Sequence, residues 1–106
     1  MSVQRLYDSH GHHIANFVNG QLHSPGGSNI GHYRENQQIF IDMSGHYLGE
    51  IVHGNRLMCR RNSPHRSTNY ESYGNYGNIG NYGNPGNIGS IGSISGYEDI
   101  PEEKLK

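Results

Sequence analysis

Three stretches of the chain share one pattern: an apolar residue, a tiny one, any residue, then a second apolar one. They are Ile14-Ala15-Asn16-Phe17, Ile30-Gly31-His32-Tyr33 and Leu48-Gly49-Glu50-Ile51, spaced by 16 and 18 residues. Eight residues before each stands another apolar side chain, Leu6, Leu22 and Phe40. Asp8, Ser24 and Asp42 follow two residues later, each opening a Gly-bearing segment. Repetition at a fixed spacing is the strongest constraint on a fold, because every unit must solve the same burial problem.

Each unit reads as a β-hairpin. Asp or Ser at a first turn position bonds its own backbone, and Gly supplies the positive φ the turn needs. The return segment alternates apolar and polar residues, as half-buried strands do. Second turns at Asn19-Gly20, Glu35-Asn36-Gln37 and His53-Gly54-Asn55 join the units, and Asn-Gly is a strong hairpin signal. The pattern predicts an all-β chain of four short antiparallel hairpins at about 4–18, 21–35, 38–53, and 55–62 plus 86–94. Leu6, Ile14, Leu22, Ile30, Phe40, Leu48 and Leu57 are the expected core.

The fourth hairpin is interrupted. After Leu57-Met58-Cys59-Arg60-Arg61-Asn62 comes a low-complexity insertion, 63–85, rich in Gly, Asn and Tyr. The return strand is then expected at 86–94, where Asn87-Ile88-Gly89-Ser90-Ile91 matches Asn29-Ile30-Gly31-His32-Tyr33 and Ile91-Gly92-Ser93-Ile94 fits the apolar-tiny pattern equally well, leaving two registers open. Gly recurs at 74, 77, 80, 83, 86, 89 and 92. Collagen shares that period but needs abundant Pro, and only Pro85 lies in the run. Polyproline-II-like packing, loose surface packing and disorder remain open for it. Residues 95–106 form an acidic tail, expected as a solvated terminus rather than a docking peptide, with one helical turn after Pro101.

The hairpins resemble the four-fold beta flower domain. The residues carrying the likeness are Leu6-Tyr7-Asp8-Ser9-His10-Gly11 with Ile14, Asn29-Ile30-Gly31, Phe40-Ile41-Asp42 with Gly45, Leu48-Gly49, and Gly54-Asn55-Arg56-Leu57. The resemblance implies hairpins arranged around a pseudo-four-fold axis and carries no activity with it. Gly11, Gly31, Gly45, Gly49 and Gly89 are the expected structural glycines. Ala15 departs from the pattern, which marks the constraint at Gly31, Gly49 and Gly89 as spatial rather than conformational.

Chemistry is sparse. Eight histidines, His10, His12, His13, His23, His32, His46, His53 and His65, raise the reading of a metal-dependent enzyme. They fall at turns and alternate strand positions, without the ligand spacings of a zinc site. Cys59 is single, so no intrachain disulfide forms, and no base is paired with it in sequence. Asp8 and Asp42 stand at turn starts, where bonding to the local backbone is expected. No phosphate-binding Gly motif opens a helix. The expectation is no catalysis and no cofactor.

Net charge is −1, too small to draw nucleic acid or a membrane. The charge is divided, however. Six Arg face Asp8, Glu35, Asp42 and Glu50 in residues 1–69, while Lys104 and Lys106 face Glu71, Glu98, Asp99, Glu102 and Glu103 beyond. The one basic cluster, Arg56, Arg60, Arg61 and Arg66, precedes Tyr70, Tyr73, Tyr76 and Tyr82. Together these eight form the candidate interaction surface. Arginine with aromatic rings suits phosphate contact and base stacking on a single strand. Tyr with Gly and Asn also suits adaptable protein contact. The expected role is an interaction or structural module that binds a protein partner or itself, with nucleic-acid binding as the alternative and a His-based metal enzyme third. No apolar run marks a leader or a membrane span, so a cytoplasmic location is expected.

Overall fold

The computed structural model describes residues 3–70, 74, 75, 77, 79, 80, 83, 85–92 and 94–105. The strands are β1 (Gln4–Tyr7), β2 (His13–Val18), β3 (Gln21–His23), β4 (Asn29–Arg34), β5 (Ile39–Asp42), β6 (Tyr47–Val52), β7 (Arg56–Arg60) and β8 (Tyr97–Asp99). Each pairs antiparallel with the next, and β1 also meets β7 in parallel through Tyr7 and Arg56. Seven strands thus close into a barrel, which removes most of the edge an open sheet would expose.

Three turns at one end are built alike. Asp8 Oδ1 accepts the N–H groups of His10 and His12 at 3.0 and 2.9 Å. Asp42 Oδ1 accepts those of Ser44 and His46 at 2.9 and 3.0 Å, and Ser24 Oγ accepts that of Ser28 at 3.2 Å. Gly11, Gly27 and Gly45 close them at φ of 89°, 101° and 89°, a region costly for any residue with a Cβ. At the other end, Asn19-Gly20 and His53-Gly54 have positive φ at both positions, as a type I′ hairpin requires.

The apolar-tiny pattern acquires a physical meaning here. Leu6 faces Ala15, Leu22 faces Gly31 and Phe40 faces Gly49 across their ladders. One step further each register slips, leaving Ile14, Ile30 and Leu48 as the extra residue of a β-bulge. A bulge turns its extra side chain out of strict alternation, so adjacent apolar residues both reach the interior. The tiny residue yields space. A Cβ on Gly31 would stand 2.5 Å from the carbonyl oxygen of Ile41. One on Gly49 would stand 2.7 Å from Ile100 Cδ1 and 2.8 Å from the carbonyl oxygen of Met58.

Leu6, Leu22, Ile30, Phe40, Leu48 and Leu57 are buried as the repeat implies, while Ile14 is half-buried against them. Ala15, Ile39, Ile41, Tyr47, Cys59, Ile100 and Leu105 complete the cluster. Phe17, Tyr33 and Phe40 meet edge-on or tilted, with centroids 5.0–5.3 Å apart. Such geometry suits the ring quadrupole. Leu48→Ala is expected to lower unfolding free energy by about 2–5 kcal/mol, the range for a buried leucine that leaves a cavity. Chemical denaturation measures it, and a change within error would remove Leu48 from the core.

The last hairpin corrects the expectation. The described residues of 86–94 form no strand, and β7 is paired by Tyr97–Asp99 instead. The reason lies in the hydrogen bonds. Ile88 N–H donates to the Gly11 carbonyl and Ile91 N–H to that of Ser9, both at 2.9 Å, so this segment lies on the first hairpin's tip. Gly89 is corrected too, since a Cβ there would meet nothing within 4 Å. Nor is the acidic end simply solvated. Ile100 and Leu105 are 6% and 8% exposed, and the helical turn after Pro101 is a 3-10 turn over Glu102–Leu105 that carries Leu105 inward. No helix among the described residues is long and apolar enough to cross a membrane.

Candidate interaction surface

The arginine cluster is divided by the fold. Arg56 is 6% exposed and donates to the carbonyl oxygens of Asp8 at 2.9 Å and Gly89 at 2.7 Å. Its charge ties β7 to the first turn and the tail, so it is not a surface residue. Arg60, Arg61 and Arg66 remain exposed. Glu98 on β8 comes between two of them, 3.7 Å from Arg61 Nε and 3.4 Å from Arg66 Nη2. Exposed pairs of this kind contribute at most about 1 kcal/mol, but they offset local positive charge.

Beside them runs a ladder of rings and guanidinium groups. Arg34 lies over Tyr70, 4.3 Å from its centroid. Tyr70 Oη and His65 Nδ1 are hydrogen-bonded at 2.8 Å, His65 stacks on Tyr47 at 6.5 Å, and Arg66 sits 5.9 Å above Tyr47. Cation–π contacts like these favour an ordered side chain by about 0.5–1 kcal/mol each at exposed sites. Tyr73, Tyr76 and Tyr82 lie outside the described residues. Of the eight candidate side chains, the structure therefore groups Arg66 and Tyr70 in one ladder and Arg61 beside Glu98.

Tyr47 anchors this ladder from below. Its hydroxyl accepts the Arg60 N–H at 2.8 Å and donates to Glu50 Oε2 at 3.2 Å, while Tyr97 Oη donates to Glu50 Oε1 at 2.8 Å. Burial, reinforced by the Glu50 carboxylate, pushes the Tyr47 phenol up to about 12 against the opposing Arg60 amide. Tyr97 is raised as well, chiefly by its bond to Glu50. A folded pKa above the unfolded value means stability present below pH 10 and lost as pH rises toward 12. An alkaline titration at 295 nm should show one phenol ionising about two pH units after exposed tyrosines, and Tyr47→Phe should delete that late step. Its persistence in the variant would refute the assignment.

The remaining reactive groups are committed elsewhere. His23 is buried with Nδ1 3.2 Å from the Gly27 carbonyl, and His13 Nε2 is 2.7 Å from Asn16 Oδ1. His32 is buried beside Gln21 Oε1, and that burial lowers its pKa. His12 and His46 stand 3.3 and 3.8 Å from the turn carboxylates of Asp8 and Asp42. Among the described residues, no three His, Cys, Asp or Glu side chains converge as a metal site would require. Burial, then Glu98, raise the Cys59 thiol above its usual range, although Arg66 opposes them. A thiol kept protonated is a poor nucleophile.

A cleft of about 450 Å³ beside β8 holds Ser9, His10 and Asp99. These are the residue types of a hydrolytic triad, but in another order. Ser9 donates its N–H to Asp99 Oδ1 at 2.8 Å and its hydroxyl to Oδ2 at 2.6 Å. His10 Nε2 stands 3.7 Å from the same Oδ2. The imidazole meets the carboxylate rather than the hydroxyl, and Ser9 Oγ is held by Asp99 directly, which is not the Ser–His–Asp order of a triad. The arrangement clamps β8 onto the first turn. A second cleft of about 450 Å³, lined by His13, Ile14, Pro25 and Leu105, is mostly apolar.

The tail beyond β7 follows a rule hidden by its glycine triplets. Tyr70 N–H donates to the Gly45 carbonyl at 2.8 Å, Ile79 N–H to Gly27 at 3.0 Å and Ile88 N–H to Gly11 at 2.9 Å. The donors are nine residues apart, and the acceptors are the closing glycines of the three alike turns, visited in reverse order. The sequence carries the same period. Asn69-Tyr70, Asn78-Ile79 and Asn87-Ile88 each begin a nonapeptide. Each anchor is a main-chain bond, while Asn75, Asn87, Ser90 and Ile91 stay exposed. The chain matches no protein-family model, no curated protein and no solved structure.

Proposed function

We propose that this chain is a non-catalytic interaction module, in which the barrel is a rigid support and a strap, formed by the described residues of 70–94, is the contact surface. The observation carrying this reading is the strap's mode of attachment. Main-chain bonds at Tyr70, Ile79 and Ile88 hold it at three points, and the side chains of Asn87, Ser90 and Ile91 stay exposed. Amide, hydroxyl and apolar groups held on a fixed backbone lose less freedom on binding than those of a loose loop. The hairpins follow the four-fold beta flower arrangement in this proposal. The three alike turns, the three bulges and the β7–β8 pair support it. A single buried Cys59 fits a reducing, cytoplasmic setting.

The test is capture of partners from the native host by the intact chain and by a variant with Asn75, Asn87, Ser90 and Ile91 all changed to glutamate. Specific partners should be retained by the first and lost by the second, with both melting at similar temperatures. Equal capture by both would reject the strap as the contact surface. The Arg34–Tyr70 and Arg66–Tyr47 stacks favour nucleic acid as a second reading. Binding of a single-stranded oligonucleotide that weakens steeply with salt would support it. Glu98 between the arginines argues against it.

A further inference from the structure

We propose that the three closing glycines form a binding surface for extended Asn-apolar segments, and that its partner is the strap of a second copy of this chain. The inference rests on the interaction-module reading and names the partner.

The slots are selective for backbone. A Cβ on Gly11 would lie 1.8 Å from the carbonyl oxygen of Ile88, and one on Gly45 1.8 Å from that of Tyr70. Strap and turn therefore touch main chain to main chain, an approach only glycine permits. Next to Gly45 the contact becomes a β-bridge between His46 and Asn69. Next to Gly11 it extends through the Ile91–Ser9 bond. This is strand addition in its shortest form, where main-chain bonds supply the affinity.

The occupant follows from the repeat. Three closing-glycine carbonyls, two of them shown in close main-chain contact, receive the amides of three segments of one sequence pattern, nine residues apart. Nothing in such a match distinguishes a chain's own strap from that of a second copy. The intramolecular arrangement wins at low concentration because the tether raises the effective concentration of its own segment. The slots are separate from one another and each is held by a few bonds, so release is stepwise, one slot at a time. As concentration rises, a released segment meets an identical slot on another copy. Exchange of identical elements forms dimers without any new interface chemistry.

The experiment mixes isotopically heavy and light preparations of the full chain across a range of concentrations and counts mixed dimers by native mass spectrometry. Mixed dimers should form with increasing concentration. Gly45→Ala and Gly11→Ala should reduce them at least tenfold. Gly20→Ala should not, because Gly20 shares the positive φ, at 77°, but a Cβ there would meet nothing within 4 Å. This control separates backbone strain from slot closure. Ile88→Pro, which removes a strap donor without touching a turn, should also reduce mixing if the alanine variants fold poorly. Exclusively monomeric chains at millimolar concentration would overturn the proposal. So would mixed dimers formed equally by all variants, which would place the contact elsewhere. Capture of host partners without mixed dimers would sink strap exchange alone and leave the interaction-module reading standing.

Discussion

Gly31→Val is expected to abolish cooperative unfolding, leaving a chain with no thermal transition and weak near-ultraviolet dichroism. Gly31 lies opposite Leu22 on β4, next to the bulged Ile30. The first atom of any side chain there would stand 2.5 Å from the Ile41 carbonyl oxygen and 3.5 Å from Leu48 Cδ2. The carbonyl belongs to the adjacent strand β5, so relief requires the ladder to part. Valine adds two methyl groups beyond that atom and holds them in a restricted rotamer. Overpacking by single methylenes already costs about 1–3 kcal/mol, and here the obstacle is backbone rather than a yielding side chain. A domain of this size has about 5–15 kcal/mol of stability in total. Ala15 holds the corresponding place in the first hairpin, so the limit is local space and not the backbone angle. A melting temperature for Gly31→Val within a few degrees of the parent would defeat this account.

Much of that logic is legible in the amino-acid sequence itself. Asp8, Ser24 and Asp42 announce turns because their side chains compete for nearby N–H groups, and those bonds form. The apolar-tiny pairs announce close approach, although alternation alone does not reveal that Ile14, Ile30 and Leu48 are bulge residues. Other features are hidden for physical reasons. Asn87-Ile88-Gly89 resembles Asn29-Ile30-Gly31, yet it bonds to a turn, because a short motif fixes local shape and not its partner. Tyr97-Glu98-Asp99 carries two acids in three residues, a composition poor in strand propensity. It is a strand because β7 offers an unpaired edge and Ser9 holds Asp99. Arg56 reads as surface charge, since sequence does not show that carbonyls wait for it. The nine-residue period is present in the sequence but lies under a stronger three-residue glycine period.

Truncation after Ser95 is the sharpest test of where the barrel is completed. It keeps residues 86–94, the segment the repeat pattern nominates, and removes β8 with everything beyond. If 86–94 closed the fold, the shortened chain would remain a cooperative domain. The structure gives the opposite expectation. Arg56 is the only residue of β7 paired with β1, so Met58, Cys59 and Arg60 would lose their partners Asp99, Glu98 and Tyr97. An unpaired edge of this kind invites association with other chains. Ile100 and Leu105 would leave the core, at about 1.5–3 kcal/mol for each buried side chain. Ile100 is hard to replace, because Gly49 beneath it has no side chain to fill the space. Ser9 would keep its hydroxyl and N–H but lose the carboxylate that receives both. These losses approach the whole stability of a small domain, so the product should aggregate or bind a hydrophobic dye without a melting transition. Ile79→Pro in the full chain is the matched comparison. It removes one strap bond, worth about 0.5–1.5 kcal/mol net, and should lower the melting temperature only slightly. A soluble, cooperatively melting chain of residues 1–95 would show that β8 is an accessory strand and that the seven-strand barrel is complete without it.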